Sequence, residues 1–429
     1  MMRLICLWLT VSLLAVKGVS GQDLVLTNAQ IVDPTTRAIV RGALWMEAGR
    51  IVGRGVEAPA GVKGERIDLK GRWVIPGLVD LHVHSFGNTA PPNVADALGT
   101  EAVATRVLRA GVTAFLDLFG AQEDAILRLR DRQRAGEIGG AEIFSAGPCF
   151  TATNGHCSEY GITTRLIDSP EDARKQLAEL APKRPDVVKV VYDHAIRRPS
   201  IDRPTLDALI AAATQRGLKT IVHVGTWDDL RHAVLAGATA VTHVPRQSVV
   251  PDDVVALMAE RRTYHIPTLA VQTDLPMLWL WENKTLMDSP MMAALTTDAI
   301  RGAYRKGVPA RAPEDSAASR AVTARSIESV RRLHAAGIRM LAGTDAGNWG
   351  VIQGYSLHRE LVRLVEAGLS PWEALAASTT QAGEFLGRRF GVQPGDAANF
   401  VVLDASPIDD ITNTQRISMV VIRGQIVFR

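Results

Sequence analysis

Leu81-His82-Val83-His84 places two histidines one residue apart at the end of an apolar run. In a β-strand residues i and i+2 share a face, so both imidazoles point the same way, as two ligands of one divalent metal must. Taken alone, the pair fits two buried, hydrogen-bonded histidines as well. Three further runs, Ile221-Val222-His223, Val241-Thr242-His243 and Gly343-Thr344-Asp345, end similarly. Each offers a metal-competent side chain where a strand would stop. Lys189 stands among Val187, Val188, Val190 and Val191. A bare ammonium is costly to bury, so this lysine calls for a partner, a neutral state, a covalent change, or a stem that snorkels to a rim.

These residues need a scaffold that gathers strand ends. The middle of the chain supplies eight apolar runs: 77–84, 113–119, 142–147, 187–192, 220–224, 240–244, 263–269 and 339–344. Amphipathic stretches separate them, among them 205–216, with Leu206, Leu209 and Ile210 on one stripe, and 321–336. The pattern predicts an α/β protein, a parallel (β/α)8 TIM barrel over residues 76–389. Strands buried on both faces read as continuous Val/Ile/Leu runs, as these do. A doubly wound open sheet would want a Gly-rich phosphate turn, and the nearest stretch, Gly53-Arg54-Gly55-Val56-Glu57-Ala58, runs into Pro59. Barrel enzymes place their sites at C-terminal strand ends, where the four histidines and Asp345 fall. Short strand-like runs at both ends of the chain predict a small β-sandwich domain, residues 22–75 and 390–429, built from both termini. Residues 270–320 are long for a connection and read as an inserted lid or helical excursion after strand seven, or as an oligomer contact.

Read in strand order, the set resembles the amidohydrolase superfamily. The resemblance runs from about Asp23 to Arg429 and is carried by Val74-Ile75-Pro76-Gly77-Leu78-Val79-Asp80-Leu81-His82-Val83-His84-Ser85, Lys189, His223, His243 and Gly343-Thr344-Asp345-Ala346-Gly347. Tyr264-His265-Ile266-Pro267-Thr268-Leu269 and the stretch from His358 to Leu375 are similar to the branch of imidazolonepropionase-like amidohydrolases and Xaa-Pro-type dipeptidases. The resemblance implies two divalent metal ions, by family precedent zinc, though these ligands also suit Mn, Co or Fe. His82, His84 and Asp345 would hold one ion and His223 and His243 the other. Lys189, carrying a CO2-derived carbamate, would bridge both together with a hydroxide. That hydroxide would attack an amide carbonyl while Asp345 carries its proton to the leaving nitrogen. The activity implied is that of a dipeptidase, with an N-acyl amino acid amidase next and a lactonase or phosphotriesterase further off. A catalytically silent binding protein or a metal store would not need all six ligands.

Residues 1–21 have the form of a secretory signal peptide: Arg3, a 13-residue apolar core from Leu4 to Val16, and a small-residue end at Val19 and Gly21. The core is short for a membrane span, and an uncleaved anchor is the alternative. Export predicts a periplasmic or secreted protein. The chain has 429 residues and a net charge of +3, and without Arg3 and Lys17 it keeps 46 basic against 45 acidic residues. No long basic run occurs, which argues against nucleic acid as a partner. The expected partner is a small amide or dipeptide, and a homo-oligomer is compatible with the sequence. Three cysteines are too few for a disulfide scaffold. Cys6 leaves with the signal; Cys149 and Cys157 could pair in an oxidising compartment or stay free.

Other residues carry lighter expectations. His156, Tyr192 and Arg246 follow strands three, four and six and are candidates for substrate contact, Arg246 through a carboxylate. His358 and Glu360 read as packing or supporting residues, and His194, His232, His265 and His334 as structural or surface histidines.

Overall fold

The computed structural model describes residues 22–90, 94, 98–120, 122–272, 280, 283–306 and 313–429. The expected signal peptide, residues 1–21, and part of the expected 270–320 insertion lie outside the described residues.

Strands from both termini share one eight-stranded sheet. Its order is Gln425–Phe428, Ile417–Ile422, Phe400–Leu403, Trp73–Pro76, Leu24–Asp33, Ala38–Glu47 and Arg50–Gly55, with Glu65–Asp68 parallel to Leu24–Asp33. The join is antiparallel, with Val401 opposite Ile75, so the barrel is inserted between two neighbouring strands. The sheet curls back on itself at its far edge. Ile51 donates to the Asp396 carbonyl and accepts from Gly395, on the segment leading into Phe400. Alternation then gathers Leu24, Leu26, Leu44, Met46, Val74, Phe400 and Val402 into a core separate from the barrel's.

The barrel strands pair in parallel in two runs. Leu78–Val83, Val112–Asp117 and Glu142–Ser145 are strands one to three; Val188–Tyr192, Thr220–Val224, Ala240–Thr242 and Tyr264–Ile266 are strands four to seven. Strand three breaks at Gly147 and resumes as Cys149–Thr151; its first part pairs with strand two and its second with strand four. Asp186 spans the break: its N–H donates to the Ser145 carbonyl and its carboxylate accepts the Ser145 N–H, both at 2.9 Å. Residues 339–346 form an irregular eighth strand. His265 donates to Arg339 and Leu341 to His265 on one side, while Leu81 donates to Ala342 and Asp345 to His82 on the other. These bonds close the ring.

Val79, Leu81, Ala114, Leu116, Phe144, Ile221, Ala240, Ile266 and Leu341 fill the barrel's interior. Val190, Val222 and Val241 face outward, into the core they share with Leu206, Leu209, Ile210 and Leu230 of the surrounding helices. Those helices start on strong signals. Ser169, Asp202 and Thr226 each cap the N–H three residues on, contributions of about 1 kcal/mol apiece. In the long connection after strand seven, helices Pro290–Leu295 and Asp298–Lys306 are described. Tyr304 is buried there and donates to the Thr89 carbonyl, on the loop that follows strand one. Among the described residues no helix is long and apolar enough to cross a membrane.

Candidate metal centre

Strand one carries two of the histidines, but not by simple alternation. Val79 and Leu81 face the interior, so a regular strand would turn His82 outward. The ladder to strand two shifts register between Asp80 and Val83, and past that irregularity His82 faces in. Its Nδ1 lies 2.9 Å from Thr242 Oγ1 on strand six; its Nε2 lies 3.2 Å from Asp345 Oδ1 and 3.5 Å from Lys189 Nζ. His84 Nε2 lies 2.8 Å from the same Asp345 oxygen. His82, His84 and Asp345 thus present three ligand atoms within 4.8 Å of one another. Asp345 has a left-handed backbone, φ 61°, near the end of strand eight.

The other candidates close the group from strands four, five and six. Lys189 points inward and is buried. His243 follows the inward-facing Thr242 and would point outward in a continued strand. A left-handed φ of 76° turns its ring back, to 5.1 Å from His82 and 4.3 Å from His223 between ring centroids. Strained backbone of this kind clusters at functional sites. The outer nitrogens of these rings are engaged: His223 Nε2 with Asp193 Oδ2 at 2.8 Å, and His243 Nδ1 with Thr268 Oγ1 at 2.8 Å. His223 Nδ1 and His243 Nε2 are left for a ligand, beside the His82 Nε2 that faces Asp345, and such outer partners fix the ring orientation and tautomer of metal-binding histidines.

The electrostatics favour a cation as that ligand. Burial, and then neighbouring cationic groups, drive His82 and His243 well below the ordinary histidine range. Burial takes His223 to about 4 although its bond to Asp193 opposes the shift. Neutral imidazoles are the metal-binding form. Burial lowers Lys189 to about 8 against the pull of Asp345. Among the described residues no carboxylate lies within ion-pair distance of its Nζ, and His82 is its near polar neighbour. A cluster of imidazole nitrogens around one carboxylate fits divalent metal ions.

Several supporting residues escape a reading by periodicity. Asp80 is buried and accepts from the N–H groups of His82 and Thr344 and from the Thr344 hydroxyl, pinning strand one to strand eight. Burial raises it to about 7. Asp117, at the end of strand two, accepts from Ser85 and Phe119. Asp193 accepts from Ala195 as well as holding His223, and Gly225 leaves room for it: a Cβ there would lie 1.7 Å from Asp193 Oδ1. The signal for Asp80 and Asp117 was an acid inside an apolar run, which burial requires to be partnered.

Of the substrate candidates, His156 comes nearest the centre, its ring 5.1 Å from His223 and its Nδ1 2.7 Å from Glu159 Oε1. Arg246 is exposed on the loop after strand six, with Asp345 the charged group that acts on it. Tyr192 is not brought to the site. Lys189 and Val191 point inward, so Tyr192 points outward, and its hydroxyl meets His232 Nδ1 at 3.0 Å. His265 supports the centre by bonding the His243 carbonyl at 2.9 Å, and His194 pairs with Asp229. His334 is a weak partner of Glu373, and His358 is buried against Thr414. Cys149 and Cys157 are free thiols packed in one small buried cluster with Phe119 and Val191.

Known proteins share this architecture. A Xaa-Pro dipeptidase crystallised with methionine in its active site superposes with a TM-score of 0.73 at 18% identity, covering 94% of this chain and 99% of its own. A candidate prolidase from Bifidobacterium longum gives 0.74 at 26% identity, covering 96% and 95%. A prolidase complexed with N-methylphosphonate-L-proline gives 0.71 at 23%, covering 95% and 100%. An uncharacterised protein of Mycobacterium tuberculosis is 26% identical over 392 residues, 89% of this chain and 91% of that one. The model of the amidohydrolase family matches residues 73–427, from the strand that enters the barrel to the last strand of the terminal sheet. The chain therefore belongs to the amidohydrolase family and is a hydrolase.

Proposed function

We propose that the protein is an exported dipeptidase of the Xaa-Pro type, hydrolysing an amide bond with two divalent metal ions, zinc by family precedent. The observation that carries the metal reading is the convergence of His82, His84 and Asp345 with His223 and His243 around the buried Lys189. His82, His84 and Asp345 would hold one ion and His223 and His243 the other, with a carbamate on Lys189 between them. Such a pair of ions supplies a strongly acidified water and polarises a carbonyl oxygen. Asp345 takes the water's proton and delivers it to the leaving nitrogen, base first and acid afterwards. Asp193 and Thr268 keep the rings of His223 and His243 aimed inward through both steps. Arg246, on the loop after strand six, meets the carboxylate of the substrate's leaving amino acid.

The dipeptidase reading leans on the structural neighbours named for prolidase activity, one of them holding a free amino acid. An N-acyl amino acid amidase needs the same centre and the same arginine and is the second reading. The test is metal content per chain on purified mature protein, with hydrolysis of dipeptides and N-acyl amino acids before and after chelation. About two ions and chelator-sensitive turnover are expected. Two ions without amide hydrolysis would sink the dipeptidase reading and leave the centre standing. Export is checked by the N-terminus of the mature protein, expected at Gln22.

A further inference from the structure

One side of the metal centre is lined by rings. His84, a ligand candidate, lies 6.3 Å from Phe86 and 6.1 Å from Phe119 between centroids, and those two are 5.7 Å apart. Phe119 continues to Tyr160 at 6.2 Å, Tyr160 to His156 at 5.8 Å, and His156 to the second-site candidate His223 at 5.1 Å. The arc therefore leaves the centre at one metal position and returns at the other. It rises from the buried Phe119 to Tyr160, which is 53% exposed. The charge of Glu159 beside it is neutralised locally: Glu159 holds His156 and also lies 3.3 Å from Arg198. Built of rings packed edge to face, largely uncharged and open to solvent at its upper end, the arc has the character of a surface that a further apolar ring can pack against.

Its place in the barrel gives it a direction. Phe86, Phe119 and the 156–160 segment follow strands one, two and three, so the arc is centred on strand two. In an eight-strand ring the position opposite strand two is strand six, whose loop carries Arg246. A substrate laid across the centre meets rings on one side and a guanidinium on the other. Resting on the amide-hydrolase reading above, we infer that the arc of Phe86, Phe119 and Tyr160 is the acyl-side subsite. It selects amides whose acyl group bears an aromatic ring and whose leaving group is an amino acid held through its carboxylate.

The test is a matched pair, N-benzoyl-L-alanine and N-acetyl-L-alanine, on metal-loaded protein with Phe86→Ala, Tyr160→Ala and a remote control, Val56→Ala just past the end of strand Arg50–Gly55. The ratio of kcat/KM for benzoyl over acetyl should exceed one and fall roughly tenfold in Tyr160→Ala, through KM, as expected for loss of aromatic contacts. Val56→Ala should leave the ratio alone. A ratio unmoved by both arc variants, with turnover intact, would overturn the subsite. If no amide is hydrolysed, the amide reading fails separately, and binding decides the subsite. Benzoate should then bind more tightly than acetate by calorimetry, and lose that advantage in Tyr160→Ala; equal binding would overturn it.

Discussion

Lys189 and Asp345 carry the sharpest expectations at the scale of single residues. Lys189 is buried among apolar neighbours with a lowered pKa and, among the described residues, no carboxylate at ion-pair distance, so its value to the fold without a bridging role is small. Lys189→Met keeps the volume and removes the nitrogen. It should fold and reduce bound metal from about two ions to one or fewer per chain, with kcat down at least about a hundredfold. In Lys189→Ala a short carboxylic acid should restore part of both, by standing where the carbamate would. The proposed function gives Asp345 two duties that one substitution can separate. Asp345→Asn should lower metal content, and excess metal should refill the site. Turnover should stay down by about 10²–10⁴, because an amide carries no proton between water and leaving nitrogen. Restored turnover on refilling would show that Asp345 is a ligand alone. Both residues were legible in the sequence because each is chemically out of place: a lysine among valines, an acid closing an apolar run. Asp193 was not, since a carboxylate at a strand's end is ordinary until His223 is seen 2.8 Å away.

The secondary elements hold these residues by breaking their own regularity, and this is where sequence periodicity stops informing. The eight apolar runs predict the barrel, since parallel strands buried on both faces look the same wherever they occur. The shifted register of strand one, the left-handed turns at His243 and Asp345, and the break in strand three at Gly147 are set by packing against neighbouring strands. No local pattern encodes them. Tyr192 shows the cost of ignoring alternation: three residues from Lys189, it faces the helices. Gly343 is the element-scale counterpart of the ligands. A Cβ there would lie 2.6 Å from Ile266 Cγ2 and 2.9 Å from His82 Cβ, so strand eight can approach strand one only without a side chain. Gly343→Ala should spread the two strands and weaken metal binding roughly tenfold or more, measured by competition with a chromogenic chelator. Glu360 anchors another element, accepting the Ala270 N–H at 2.6 Å at the start of helix Leu269–Gln272, next to Thr268. Burial raises its pKa from 4.5 to about 8, with the Ala270 and Leu269 N–H groups opposing and Asp80 adding to the rise. Below about pH 4.5 folded and unfolded chains both keep this proton. Between about 4.5 and 8 the unfolded chain releases it and the folded chain holds it, so stability falls by up to about 1.4 kcal/mol per pH unit. Denaturant titrations of Glu360→Gln should lack that slope.

At the scale of the whole molecule, the centre is a tie across the barrel. Its candidate ligands come from strands one, four, five, six and eight, which span residues 82 to 345. The seam that closes the ring, between strands eight and one, lies at the pair His82 and Asp345. Without metal, buried nitrogen bases face one another there, and their burial is compensated through Asp193, Thr242 and Thr268 on their outer sides. Ions that bind the folded chain and not the unfolded one stabilise it by mass action, about 4 kcal/mol at a thousandfold excess over the dissociation constant. In a chain of this size that corresponds to a Tm higher by on the order of 5–10 °C. Chelation should therefore lower Tm by that amount, and added metal should restore it. The terminal sheet has its own core and no share in the centre, so its hydrogen-exchange protection should change little. Protection in strands one and eight should fall most, because the seam there has few ladder bonds of its own. Lys189→Met should already show most of the loss and respond weakly to chelator. A uniform loss of protection through the terminal sheet would mean that barrel and sheet unfold as one unit. An unchanged Tm after complete metal removal would mean that the seam is held by its backbone bonds and by Asp80 with Thr344, with the ions bound for chemistry and contributing nothing to the fold.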